Sequence, residues 1–260
     1  MRFSGPPAGA FLKRERRTWI WAEDGPDGTR RVVKLYRHRS RFAEHREEVL
    51  GFRVEREHRH LKHLQSVGVP CTEALAWSHG YSRAHGWHEA LITREVPGAC
   101  PLDRYLQERG TEVELAPLFR TIRQMHESGF CHQTLYARNV LVGSGFPEGE
   151  RFFIMDVPRA RIFPGSIVGT PGALADLRDL FVDLAMAGIT RTAVPWRIYG
   201  LESQDLEQVT RPWESDPRTR GRRTIRDVKL RLRWAIASLT APFRDPEARV
   251  GSPEGAADVS

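Results

Sequence analysis

The stretch CHQTLYARNVLV, residues 131–142, decides how the rest of the chain is interpreted. It contains His132, and Asn139 follows seven residues later. An apolar run after it, residues 152–155, ends in Asp156. A carboxylate at the end of an apolar strand is costly to desolvate unless it binds something, and Asp with Asn is a ligand pair that Mg²⁺ accepts beside phosphate oxygens. The pattern predicts a metal site at Asn139 and Asp156, with ordinary turn-capping residues as the alternative.

This spacing is typical of the catalytic loop of kinases, but one residue of that pattern is missing. The loop's base is an aspartate two residues after the histidine, and Thr134 occupies that position. Threonine is no carboxylate base at neutral pH, and general-base help is typically worth about 10²–10⁴-fold in rate. The loop therefore favours a kinase-like fold more strongly than kinase activity, and His132 is predicted to have a structural role.

Composition is that of a globular protein, and we expect a cytoplasmic location. The chain has 260 residues, 40% hydrophobic and 28% charged, which fits one or two domains. No apolar run approaches the roughly 18 residues of a membrane span, and the first residues lack the apolar segment of a signal peptide. Cys71, Cys100 and Cys131 match neither a disulfide framework nor a zinc site, so they are predicted to be buried thiols.

The net charge of +7 favours anionic partners such as nucleotides or phosphorylated glycolipid head groups. The most basic segment, Arg218 to Arg233, has apolar residues at helical spacing. Such a helix can lie on the anionic inner face of a membrane, or it can be a solvated helix face packed on the domain. No nucleic-acid reading motif accompanies the charge, so no nucleic-acid partner is expected.

The order of the predicted elements indicates an α+β fold with two lobes. A small antiparallel sheet with one long helix forms the first lobe, and the pattern becomes mainly helical after Gly98. We expect a nucleotide-binding N-lobe over residues 1–98, a C-lobe over residues 99–244 and a disordered tail over residues 245–260. Helices are predicted over residues 42–66, 101–107, 113–127, 173–187 and 224–238, with strands over 11–22, 31–36, 73–79, 89–94, 139–142 and 152–156.

Three further charged residues are candidates for a phosphate site. Lys34 ends a β-branched run and can point from the sheet onto phosphates, although a solvated strand lysine is the alternative. Glu57, in the long helix, can pair with it, with Glu55 as a rival. Asp176 lies near the start of a helix, where it can cap that helix, reach back to the catalytic-loop backbone, or do both.

Several stretches resemble the lipopolysaccharide kinase (Kdo/WaaP) family, a branch of the protein-kinase-like fold. The resemblance covers roughly residues 10–190, and its most specific parts are the Asp-x-x-Arg-Ala-Arg string that begins at Asp156 and the helix that runs into Gly68-Val69-Pro70. The other matching stretches are Val33 to Tyr36, Arg56 to Leu61, Met125 to His132, Asn139 to Val142 and Ala175 to Leu177.

The resemblance implies a kinase that uses ATP and Mg²⁺ to phosphorylate a sugar of the inner lipopolysaccharide core. It gives Lys34 the phosphate-binding role, Glu57 the ion-pair role and Asp176 the role of loop brace. It also makes Asn139 and Asp156 the metal ligands, while the family's catalytic aspartate falls on Thr134. A nucleotide-binding pseudokinase therefore remains the alternative, and Asp179 or Asp183 are candidate substitute bases.

Overall fold

The structure, a computed structural model, describes residues 11–38, 45, 51–83, 85–146 and 149–215. Residues 1–211 form one compact unit, and residues 212–260 form a second. The predicted helix over 224–238, the basic segment Arg218 to Arg233 and the predicted tail over 245–260 lie outside the described residues. The boundary expected at Gly98 stays a prediction. Among the helices described, none is long and apolar enough to cross a membrane.

A five-stranded antiparallel sheet opens the chain, as predicted. Its third strand places Lys34 opposite Ile20 and Leu91. Because side chains alternate along a strand, Val33 and Leu35 lie on one face in the core, and Lys34 lies on the other. The strands are β1 (Phe11–Arg14), β2 (Thr18–Asp24), β3 (Arg30–Arg37), β4 (Ala74–Ser82) and β5 (Gly86–Arg94), in the sheet order β1-β2-β3-β5-β4.

The helix that follows the third strand, α1, runs from Arg53 to Ser66. The predicted helix over residues 42–66 is wrong at residues 51 and 52, which are not helical. Gly51 has φ +82°, and Phe52 is extended with φ −59° and ψ 142°, so no continuous helix passes through them. Residues 39–44 and 46–50 lie outside the described part. The buried side of α1 comprises Val54, Glu57, His60, Leu61 and Leu64.

The chain after Gly98 is mainly helical, and the predicted α+β fold is confirmed. The helices are α2 (Leu102–Arg109), α3 (Ala116–Glu127), α4 (Pro171–Met186), α5 (Trp196–Tyr199) and α6 (Ser203–Ser215). The short strands are β6 (Cys100–Pro101), β7 (Phe130–Cys131), β8 (Val140–Phe146), β9 (Gly149–Ile154) and β10 (Arg161–Ile162).

Two strand pairs extend beyond their predicted ranges. β4 and β5 continue past 73–79 and 89–94 and pair as far as Ser82 opposite Gly86. β8 and β9 continue past 139–142 and 152–156 and pair as far as Phe146 opposite Gly149. In both places the cross-strand ladder overrides the local glycine and serine signals. Conversely, Asp156 lies two residues beyond the end of β9 rather than at its end.

The three cysteines are free. Cys131 is buried as predicted, whereas Cys71 and Cys100 are half-buried. Burial raises the pKa of Cys71 to about 12 and that of Cys131 to about 11. These two thiols therefore stay protonated and unreactive at neutral pH.

Gly129 lies between α3 and β7, where a substitution with a larger residue tests the packing beside residues 131–142. It has φ +81°, and a Cβ there would overlap the Phe163 carbonyl oxygen and lie 2.7 Å from that of Gly165. We expect Gly129→Ala to lower the free energy of unfolding by at least about 3 kcal/mol, because backbone strain and overlap add. Chemical denaturation measures this loss.

Gly169→Ala is the matched control. Its φ is +76°, but nothing lies within 4 Å of a Cβ placed there. We expect a loss of only about 1–2 kcal/mol from backbone strain. Equal losses in the two variants would contradict the close packing at Gly129.

Candidate active site

A buried ion-pair cluster joins β3, α1 and the segment after β9. Lys34 Nζ lies 3.0 and 3.2 Å from the two carboxylate oxygens of Glu57 and 2.7 Å from Asp156 Oδ1. The Glu57 side chain is 3% exposed and that of Lys34 16%. The structure therefore brings together three residues singled out in the sequence, and Glu57 rather than Glu55 is the partner of Lys34.

The charges in this cluster act on one another, although burial keeps the pKa of Glu57 above its ordinary value. Burial by itself would lower the pKa of Lys34, but the adjacent Glu57 and Asp156 raise it above its ordinary value. Burial would likewise raise the pKa of Asp156, but Lys34 and Arg53 hold it below the usual range. At neutral pH Lys34 is positive and Asp156 is an available carboxylate.

Two residues of the site have unusual backbone conformations. Among the described non-glycine residues, only Gln133 (φ 63°) and Asp156 (φ 56°) have positive φ. Such conformations cost of order 1–3 kcal/mol and cluster at functional sites. Here one lies in the catalytic loop and the other is the candidate metal ligand.

The catalytic loop fixes the hydrogen-bonding state of His132. Its Nε2 lies 3.1 Å from the Met155 carbonyl oxygen, which only accepts, so Nε2 carries the proton. Burial lowers the pKa of His132, so the ring is neutral and Nδ1 is an acceptor. Thr134 Oγ1 lies 3.3 Å from Nδ1 and donates to it. The predicted structural role of His132 agrees with these contacts.

Asn139 ends a short 3₁₀ turn, Ala137–Asn139, beside the same segment. Its side-chain Nδ2 donates to the Thr134 carbonyl oxygen at 2.8 Å. Its backbone oxygen accepts from the Met155 N–H at 3.0 Å. The amide is thus held by its nitrogen, and the Asn139 backbone is bonded to Met155, the residue before Asp156.

A metal fits this donor set. Mg²⁺ is bound through one or two protein oxygen ligands together with substrate phosphates, and Asp156 with the Asn139 amide oxygen supplies two. No cluster of three or more His, Cys, Asp or Glu able to hold a metal occurs in the part of the chain that is described. Asp156 and the Asn139 amide thus match the protein share of a site for a metal that arrives with phosphates.

Asp176 ties α4 to the catalytic loop. Its Oδ2 accepts from the His132 backbone N–H at 2.7 Å and lies 3.3 Å from His126 Nε2. The interpretation of Asp176 as a helix cap is wrong: Thr170 is the N-cap, and its side chain accepts from Ala173 N–H.

The two candidate substitute bases lie further along α4. Asp183 Oδ2 accepts from the Ala137 backbone N–H at 2.9 Å, so it supports the start of the 3₁₀ turn that ends at Asn139. Asp179 is half-buried and has contacts of its own. Asp183 therefore acts on the loop backbone, and the substitute-base role stays untested for both residues.

Sequence reasoning missed Arg53 and Tyr36. Arg53 Nη2 lies 3.5 Å from Asp156 Oδ1. Its guanidinium carbon is 4.4 Å from the centroid of the Tyr36 ring, and Lys34 Nζ is 5.3 Å from the same ring. Alternation along β3 could have pointed to Tyr36, which shares its face with Lys34.

A comparison with known protein families identifies the family of this chain. Residues 9–164, more than half of the chain, match the lipopolysaccharide kinase (Kdo/WaaP) family. The chain belongs to this family. The resemblance noted in the sequence is therefore confirmed.

Similarity also extends to individual proteins. A 3-deoxy-D-manno-octulosonic acid kinase from Actinobacillus succinogenes is 25% identical over 142 residues, which cover 54% of this chain and 59% of the relative. The match thus spans less than two thirds of that relative. A solved structure described as WaaP in complex with acyl carrier protein is 18% identical, with a TM-score of 0.49 and coverage of 87% of this chain and 85% of that one.

We expect Asp176→Ala to destabilise the protein by at least about 2 kcal/mol. The change leaves the buried His132 N–H without its acceptor, and an unsatisfied buried donor costs about 1–3 kcal/mol before the cavity is counted. Urea unfolding measures the loss. Asp176→Asn keeps an acceptor oxygen and should lose less, while Arg178→Ala on the exposed side of α4 should change little.

The neutral buried His132 predicts a pH dependence of stability. Because its pKa is lowered in the folded state, the unfolded chain binds more protons near pH 6, and stability falls as pH drops below about 6.5. We expect His132→Asn to reduce the slope of unfolding free energy against pH between 7.5 and 5.5, by up to about 1.4 kcal/mol per pH unit. An unchanged slope in His132→Asn would contradict the assignment.

Proposed function

We propose that this protein is an ATP- and Mg²⁺-dependent phosphotransferase that phosphorylates a hydroxyl of a lipopolysaccharide inner-core sugar. The observation that carries the proposal is Lys34 Nζ between Glu57 and Asp156, at 3.0 and 2.7 Å. A lysine held in this way presents a fixed charge to phosphates, and Asp156 lies beside it as a metal ligand. Membership of the lipopolysaccharide kinase family supports the same reading.

The roles follow from the contacts of each side chain. Lys34 would bind the nucleotide phosphates, and Glu57 would keep its ammonium in place. Asp156 and the Asn139 amide oxygen would hold Mg²⁺, which when bound neutralises charge on the transferred phosphoryl group. Asp176 would fix the loop through the His132 N–H.

Thr134 gives the acceptor hydroxyl an orienting partner in place of a base. Since Thr134 donates its own proton to His132 Nδ1, its oxygen lone pairs remain to accept a hydrogen bond from the acceptor. The transition state of phosphoryl transfer is largely dissociative in most descriptions, so a positioned hydroxyl needs less help from a base than in acyl transfer. We therefore expect slow but genuine transfer.

The acceptor is proposed from the family. The relative from Actinobacillus succinogenes is named a 3-deoxy-D-manno-octulosonic acid kinase, so this sugar acid is the first acceptor to test. The acceptor would be reached at the inner face of the inner membrane, with the protein in the cytoplasm. Contact with that face through the basic segment Arg218 to Arg233 is part of the proposal.

The second candidate is a nucleotide-binding pseudokinase, which the absence of a carboxylate at Thr134 favours. It would keep the Lys34–Glu57–Asp156 cluster for nucleotide binding and act as a scaffold. The two candidates differ in one measurable property, the transfer of the γ-phosphate.

The deciding experiment is transfer of labelled γ-phosphate from MgATP to purified lipopolysaccharide core carrying 3-deoxy-D-manno-octulosonic acid. We expect slow transfer by the wild type and at least about a 10³-fold loss in Asp156→Ala, because the metal ligand is removed. Asp24→Ala, which removes a side chain that is 75% exposed, is the matched control and should transfer like the wild type.

Thr134→Asp separates the two candidates. A kinase that lacks its base should gain about 10²-fold or more when the carboxylate is restored. Transfer that appears only in Thr134→Asp, with MgATP binding by the wild type, would identify a pseudokinase. Wild-type transfer that survives in Asp156→Ala would contradict the site assignment.

A further inference from the structure

Asp156 is in contact with two cations. Lys34 Nζ lies 2.7 Å and Arg53 Nη2 3.5 Å from the same oxygen, Oδ1. Lys34 also has Glu57 as a second carboxylate partner. For Arg53, within the ranges described, Asp156 is the one carboxylate at ion-pair distance. If Asp156 turns to another partner, Lys34 therefore keeps Glu57 as a carboxylate partner, whereas Arg53 keeps none among the described residues.

The Arg53 side chain is oriented by a neighbouring ring, but not all of its hydrogen-bond donors have a partner among the described residues. Its guanidinium stacks on Tyr36, with 4.4 Å from Cζ to the ring centroid, which restricts its orientation. Its Nε is buried, and neither Arg53 Nε nor Tyr36 Oη has a hydrogen-bond partner among the residues described. Buried polar atoms without partners are rare, and a functional role is one explanation for them.

The position of Arg53 distinguishes it from Lys34. Its side chain is 41% exposed, against 16% for Lys34. Arg53 thus lies at the open edge of the cluster, while Lys34 lies deep within it. A cation at this more exposed edge remains accessible to a phosphate of a bound ligand.

We propose that Arg53 binds the terminal phosphate of the nucleotide and makes the site discriminate a triphosphate from a diphosphate. This rests on the proposed function, since it assumes that Asp156 binds the metal of a metal–nucleotide complex. When Asp156 turns to the metal, Arg53 loses its carboxylate, and the terminal phosphate replaces it. Arginine suits this role because its planar fork binds phosphate oxygens in pairs.

The test compares affinities for a non-hydrolysable ATP analogue and for ADP, each with Mg²⁺, by titration calorimetry on the full chain. We expect Arg53→Gln to weaken binding of the analogue about tenfold or more and that of ADP by no more than about twofold, because only the analogue has a γ-phosphate, the terminal phosphate of a triphosphate. Arg53→Lys keeps the charge without the fork, so its loss should lie between those of the wild type and Arg53→Gln.

Arg59→Gln is the matched control, because Arg59 is an exposed arginine on the same helix; it should bind both nucleotides like the wild type. Thermal unfolding checks that each variant is folded. If the wild type binds both nucleotides and Arg53→Gln weakens them equally or not at all, the role of Arg53 is wrong and the proposed function stands. If the wild type binds neither nucleotide, the proposed function is wrong and this inference falls with it.

Discussion

Lys34 is a positive charge held between two carboxylates in a place that water barely reaches. Removing such ions from water costs several kcal/mol each, and the cost is offset only when the paired groups lie at hydrogen-bond distance. Glu57 and Asp156 meet this condition at 3.0 and 2.7 Å. Because these residues come from β3, α1 and the segment after β9, the cluster is satisfied only when all three are in place. The ion pairs specify one arrangement of the chain more than they stabilise it.

The rest of the site is built to hold Asp156 in that arrangement. His60 Nδ1 donates to the Val157 carbonyl oxygen at 2.7 Å, which fastens the segment after Asp156 to α1. His132 Nε2 and Asn139 hold Met155 from the other side. The backbone on both sides of Asp156 is therefore bound, and this offsets the cost of its left-handed conformation. With its backbone held in this way, only the side chain of Asp156 has to turn to reach a metal.

The sequence was informative where residue type and spacing suffice. Lys34 on a β-branched strand, Asn139 after the loop and Asp156 after an apolar run were identified because their chemistry is unusual for their surroundings. The start of α1 was not identified, because periodicity alone does not show that Gly51 interrupts a helix. Arg53 was missed for a related reason: in sequence it is one of many arginines, and only the folded chain places it against Asp156. The positions of Asp176 and Asp183 under the loop backbone likewise depend on contacts across more than 40 residues.

The cation pair around Asp156 also has a consequence for how ligands would enter this site. A divalent metal that approaches without nucleotide meets Lys34 and Arg53 beside the one carboxylate it can bind, and like charges at such short range oppose its entry. A nucleotide that carries its own metal reverses this balance, because its phosphates supply the negative charge that the displaced cations require. Under the proposed function, the arrangement that opposes a lone metal would favour the metal–nucleotide complex. Metal and nucleotide would then bind together, with the positive charge around Asp156 selecting for the pair.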